Sequence, residues 1–318
     1  RFPFEQRTRV GFRFLWRACF MKYSKPPLSI SGQIAKLKQR GLKFNNEQTA
    51  AHYLSNISYY RLRAYTYPFQ DNSDPNHIFI KDISFEEIIE IYVFDRRLRL
   101  LVFNAIEKIE IALRTKIVYE FSLTKGSHWH EDANMYRNNY FFNKNINSLY
   151  EEVDRSSETF IEHYKQTYST PTYPPAWMSL EVITMGLLSK LYGNLKKGTE
   201  KKKVAKEFGL PNPLILESWM HAFAGLRNIC AHHGRLWNRR FTIVPKIPYN
   251  THNTFIQNTN IYDNKLYAQL CCMNYITRII SPESSFVTDL RDLLGTCSLV
   301  DCKDMGFPDN WKKEPIWQ

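Results

Sequence analysis

Residues 84–121, SFEEIIEIYVFDRRLRLLVFNAIEKIEIALRTKIVYEF, contain neither proline nor glycine. Apolar side chains at Ile88, Ile91, Leu98, Leu101, Ile106, Ile109 and Leu113 return at helical spacing, so the stretch predicts one long helix with an apolar stripe. Its start is marked as well. Ser84 can cap the first turn, and Glu87 at the third helical position completes a capping box.

Upstream, SISGQIAKLKQRGL and NNEQTAAHYLSNISYYRLRAY read as short helices, with Asn45 or Asn46 as an N-cap. The turn-rich segment YPFQDNSDPNHIFIKD separates them from the long helix. Downstream, the loop GSHWHEDANMYRNNYFFNKN precedes a helix expected from about Ile146 to Gln166, and YSTPTYPPAW punctuates the chain. WMSLEVITMGLLSKLYGNL, PNPLILESWMHAFAGLRNICAHHGRLWNRR and YDNKLYAQLCCMNYITRII each read as one helix. Strand signals are few and no repeat is visible. The expectation is an all-α multi-helix bundle, with a small helical N-terminal subdomain at 21–80 and a helical domain at 81–318. Residues 1–20 precede Met21 and read as an upstream extension or appended tail. Their five Arg against one Glu also suit a basic nucleic-acid arm.

The composition, 43% hydrophobic and 15% aromatic over 318 residues, is that of a folded chain. A net charge of +12 favours a polyanionic partner, with nucleic acid ahead of an acidic membrane. Even LLVFNAIEKIEIAL is interrupted by Glu107, Lys108 and Glu110, so no membrane span is expected and the chain reads as cytoplasmic. The cysteines at 19, 230, 271, 272, 297 and 302 show neither a disulfide framework nor zinc-knuckle spacing, and no metal or other cofactor is expected.

The chemistry concentrates in RNICAHHGRLWNR, 227–239. At helical spacing Asn228, His232, Arg235 and Arg239 share a polar stripe, while Trp219, Phe223, Leu226, Cys230, His233 and Trp237 share an apolar one. His233 is therefore expected in the core and His232 on the open side. Arg227 lies roughly 140° from His232 on an ideal helix, so a second copy of the motif across a two-fold axis would assemble a site more readily than one chain alone. These residue types fit RNA cleavage without a metal: an imidazole, with an intrinsic pKa of ~6.5, moves protons at the 2′-OH or the leaving 5′-oxygen, and arginine stabilises the phosphate. AHHG has no acid beside either histidine, unlike a metal phosphohydrolase, and the glycines form neither a P-loop nor a dinucleotide fingerprint. In KKGTEKKKVAK, Lys201, Lys202 and Lys203 form either a solvated connection or a phosphate contact.

RNICAHH resembles the R-x(4–6)-H motif of HEPN ribonucleases. In the order SKPPLSISGQIAKLKQRGL, YLSNISYYRLRAYTYPF, FDRRLRLLVFNAIEKIEIALRTKI, SHWH, PAWMSLEVITMGLLSKLY and LRNICAHHGRLWNR, the chain from about Ser24 to Ile280 is similar to the Abi-like abortive-infection family of the AbiD/AbiF type. The resemblance implies a HEPN-like helical core and an anti-phage endoribonuclease toxin controlled or guided by a small non-coding RNA and directed at a cellular or phage RNA. It points to Arg227, Asn228 and His232, with His233 as the alternative histidine. With one motif per chain, a two-motif site implies a homodimer. Arg235, Arg239 and the three lysines are candidate RNA contacts. Glu181, in an apolar run, calls for an arginine partner and is assigned either a structural or a supporting catalytic role. The competing reading is a non-catalytic module that binds its cognate RNA.

Overall fold

The computed structural model describes residues 24–318, so the expected extension at 1–20 lies outside the described residues. In chain order the helices are α1 (Ile30–Gln39), α2 (Glu47–Asn56), α3 (Tyr59–Thr66), α4 (Phe85–Lys125), α5 (Asn139–Arg155), α6 (Thr159–Thr167), α7 (Ala176–Ser179), α8 (Met185–Asn194), α9 (Thr199–Glu207), α10 (Pro213–Ala231), α11 (Leu266–Ile280) and α12 (Phe286–Leu294). Among the described residues there are only isolated β-bridges and no sheet, so the fold is all-α.

The 41 residues of α4 run for about 60 Å at 1.5 Å per residue. The Ser84–Glu87 capping box is formed, and Ile88, Ile91, Leu98, Ile106, Ile109 and Leu113 are buried, with Leu101 half-buried. Helices α3, α7, α8, α9, α10, α11 and α12 all pack along α4. Between Leu266 and Thr277 every residue of α11 is buried, as befits a helix apolar on nearly all sides. Buried side chains of the first helices, including Leu37, Leu54 and Tyr65, join the same core as Trp317 near the C-terminus.

Two expected helices are each divided in two. The chain breaks between Arg155 and Thr159, where Ser156 and Ser157 favour turn geometry over helix. It breaks again between Ser179 and Met185, because the Arg114 guanidinium of α4 takes the carbonyls of Glu181 and Ile183 as acceptors and Thr184 caps α8. The expected arginine partner of Glu181 is thus Arg114, whose Nη1 lies 3.4 Å from Oε2, although the Glu181 side chain is half exposed.

In the SHWH segment, His130 is fully buried and neither ring nitrogen has a hydrogen-bond partner among the described residues. Burial disfavours the charged imidazole and pushes its pKa down to about 3. The folded state therefore binds no proton at His130 over a range where the unfolded chain, titrating near 6.5, does. Stability should be unaffected by this group above about pH 6.5 and fall as pH drops toward 3, by up to about 1.4 kcal/mol per pH unit. His130→Leu should flatten this dependence in urea melts between pH 7 and 4. An unchanged slope would contradict the assignment.

Candidate functional site

Helix α10 ends in a Schellman turn. The His233 N–H donates to the Cys230 carbonyl (3.0 Å) and the Gly234 N–H donates to the Ile229 carbonyl (2.7 Å). The left-handed residue of this turn, most often glycine, is His233, with φ 57°. The glycine next to it meets a different constraint: a Cβ at Gly234 would lie 3.0 Å from Ile229 Cγ2 and 3.2 Å from its carbonyl oxygen, closer than ordinary packing. The helix closes one residue before the tight packing position, and the histidine takes the turn.

This overturns the expected helical stripes beyond Ala231. His233 is exposed and not in the core, because the left-handed turn carries it off the apolar face. His232, the C-cap residue, is also exposed, as is Asn228. Arg235 and Arg239 leave the polar stripe. The Arg235 guanidinium donates to the Ala64 carbonyl of α3 and lies 5.8 Å from the Trp237 ring centroid, while Arg239 Nη1 donates to the Arg235 carbonyl (3.3 Å).

Asp95, with no exposed surface, holds the segment after the turn. Its Oδ1 accepts from the backbone N–H of Leu236 (3.0 Å) and Trp237 (2.7 Å). Its Oδ2 accepts from Tyr65 Oη (2.6 Å) and from Arg99. Burial pushes the carboxyl's pKa upward, against these donors and the Arg99 charge. Arg61 Nη1 adds a bond to the His233 carbonyl (2.8 Å).

Around this turn lies a hollow of about 630 Å³, lined by His233, Arg61, Arg96, Arg99, Tyr92 and Phe103 among others. Among the described residues no acidic side chain lines it. Arg99 is paired with Asp95, whereas Arg61 and Arg96 have no ion-pair partner among the described residues. At its edge the Arg227 guanidinium lies 5.6 Å from the centroid of Phe103, within cation–π range. Cys230 also lines the hollow, but burial pushes its thiol up to about 12, which leaves it protonated and unsuited to act as a nucleophile. The α4 contribution was readable and missed: Tyr92, Arg96, Arg99 and Phe103 stand at i, i+4, i+7 and i+11, two aromatics and two arginines on one helix face. Arg61 carries no comparable local signal.

Other expected contacts lie elsewhere. Lys201 is buried and is no surface contact, because its Nζ bonds the Leu195 carbonyl (2.9 Å) and Glu217 (2.8 Å). Lys202 and Lys203 are exposed on α9, the latter 3.9 Å from Glu120. Glu181 meets α4 at Arg114, eleven residues or about 16 Å along the helix from Phe103, so it does not support the hollow directly.

An all-α fold with a cationic, histidine-bearing hollow is the class of protein that these features define. The family model described as Abi-like protein matches residues 52–238, and the chain belongs to this family. The family points to abortive infection, a form of phage defence. The match spans α2 to Asn238 and so includes Arg61, Asp95 and the whole turn. No curated protein and no solved structure matches the chain. No helix among the described residues is long and apolar enough to cross a membrane.

His233→Gly should leave thermal stability unchanged or raise it by up to about 1 kcal/mol, since glycine adopts the left-handed turn without a Cβ penalty. A loss of about 2 kcal/mol or more would restore His233 to a packing role. Asp95→Ala should instead cost about 3–5 kcal/mol, because Arg99 and two backbone N–H groups would be left buried without their acceptor.

Proposed function

We propose that the hollow is the catalytic centre of a metal-independent endoribonuclease that acts in phage defence. The observation that carries this reading is the convergence of His233, Arg61, Arg96 and the nearby Arg227 on one hollow whose lining, among the described residues, has no carboxylate. Arginines hold a scissile phosphate and stabilise the charge that builds as a ribose 2′-oxygen attacks it. An imidazole takes the 2′-OH proton or delivers one to the departing 5′-oxygen, giving a 2′,3′-cyclic phosphate and a 5′-OH. On this reading His233 is the histidine at the phosphate, and exposed His232 and Asn228 contact the RNA beside it.

One chain supplies one such motif. A two-fold homodimer adds a second arginine and imidazole, and Leu100 (56% exposed) at the rim of the hollow is an apolar side chain that such a contact would cover. A small non-coding RNA bound to the same cationic surface holds the toxin in check or guides it to its target.

Purified protein incubated with total RNA in EDTA should release fragments ending in 2′,3′-cyclic phosphate. Cleavage should fall by roughly 100-fold or more in His233→Gly and in Arg227→Ala. Mixing those two inactive chains should restore part of the activity if the site is shared between copies. RNA bound but never cut would overturn the catalytic reading in favour of a binding module.

A further inference from the structure

A second cationic hollow lies at the other end of α10. Between α5, α8 and α10, two depressions of about 480 and 370 Å³ meet at Lys190 and Gly193. Arg137, Lys144, Lys190 and Lys246 line them, and all four are exposed. The single carboxylate in their lining among the described residues, Glu217, is already bonded to Arg137 (3.1 Å) and to buried Lys201 (2.8 Å). Lys144, Lys190 and Lys246 have no ion-pair partner among the described residues, so their charge is available to a ligand.

The chemistry of the lining is not charge alone. Phe141, 52% exposed, forms part of the wall, and the Tyr140 ring stands edge-on to it at 5.4 Å. Unpaired cations with an exposed aromatic match the two faces of a single strand, phosphates and unstacked bases. The hollow also shares α10 with the first site. His221 lines its α10 side, and His221 and Asn228 are exposed at i and i+7 on one side of that helix, which ends at the exposed C-cap residue His232. The rise from His221 to His232 is about 16 Å, a span of several nucleotides.

We propose that this hollow is a second subsite for single-stranded RNA, and that one strand occupies it and the Arg227–His233 site together, following the exposed side of α10. The subsite supplies affinity and register; the chemistry stays at His233. The proposal rests on the RNA reading above, but not on cleavage. A strand long enough to reach both sites binds through both, and a very short one binds through the first alone.

The test uses fluorescence anisotropy with labelled single-stranded RNA of about two and about twenty nucleotides, read beside cleavage. The variants are Lys190→Glu, Lys144→Glu and Gly193→Glu; a Cβ at Gly193 meets nothing within 4 Å, so the last adds charge without a clash. Each should weaken the long RNA by about tenfold or more and lower the salt slope by about 0.7 for each phosphate that is no longer neutralised, with little effect on the short one. Circular dichroism melts matching the parent chain confirm that the fold is kept. If the long RNA is cleaved and binds all three variants as it binds the parent, the second subsite is wrong while the nuclease reading stands. If the parent binds the long RNA without cutting it and the variants lose that binding, the nuclease reading fails and the subsite stands. A parent chain that binds neither RNA overturns both.

Discussion

The buried carboxylate of Asp95 joins three segments that are distant in sequence: α3 through Tyr65, its own helix through Arg99, and the chain after α10 through the N–H groups of Leu236 and Trp237. A charge with no exposed surface is costly unless its donors are supplied, and here both oxygens are used. The bonds to Leu236 and Trp237 fix where the chain goes after its Schellman turn, and the turn fixes His233 at the mouth of the hollow. The same Arg99 that balances the carboxylate forms part of that hollow. Fold and site therefore share one electrostatic anchor.

A histidine at a left-handed position that glycine would occupy more comfortably is a small local cost, of the kind found where geometry serves a site. Gly234 follows it in the turn, where its N–H donates to the Ile229 carbonyl. At the end of α10 the His-Gly order thus leaves an exposed imidazole in the left-handed position and a residue without a Cβ beside Ile229.

Local signals made much of this legible in the sequence. The Ser84–Glu87 box and the unbroken apolar period gave α4 its start and its buried face, because both depend on residues a few positions apart. What failed were features decided by distant groups. Arg114 breaks the run around Glu181 from 67 positions away. Lys201 is buried because Glu217 and the Leu195 carbonyl receive it. His233 was placed in the core by a helical angle that stopped applying at Ala231. Yet the Tyr92–Arg96–Arg99–Phe103 face was written at ordinary helical spacing; what was missing was the knowledge that α10 ends beside it.

On the proposed function, the turn held by Asp95 presents His233 to an RNA phosphate. Imidazole carbon resonances of the nine histidines, followed by NMR while a non-cleavable 2′-deoxy-substituted RNA is added, test it most directly. The His233 signal should move in a saturable way with the bound fraction, and Arg96→Gln should weaken the response without unfolding the chain. A His233 signal that stays fixed while the RNA binds would contradict the account.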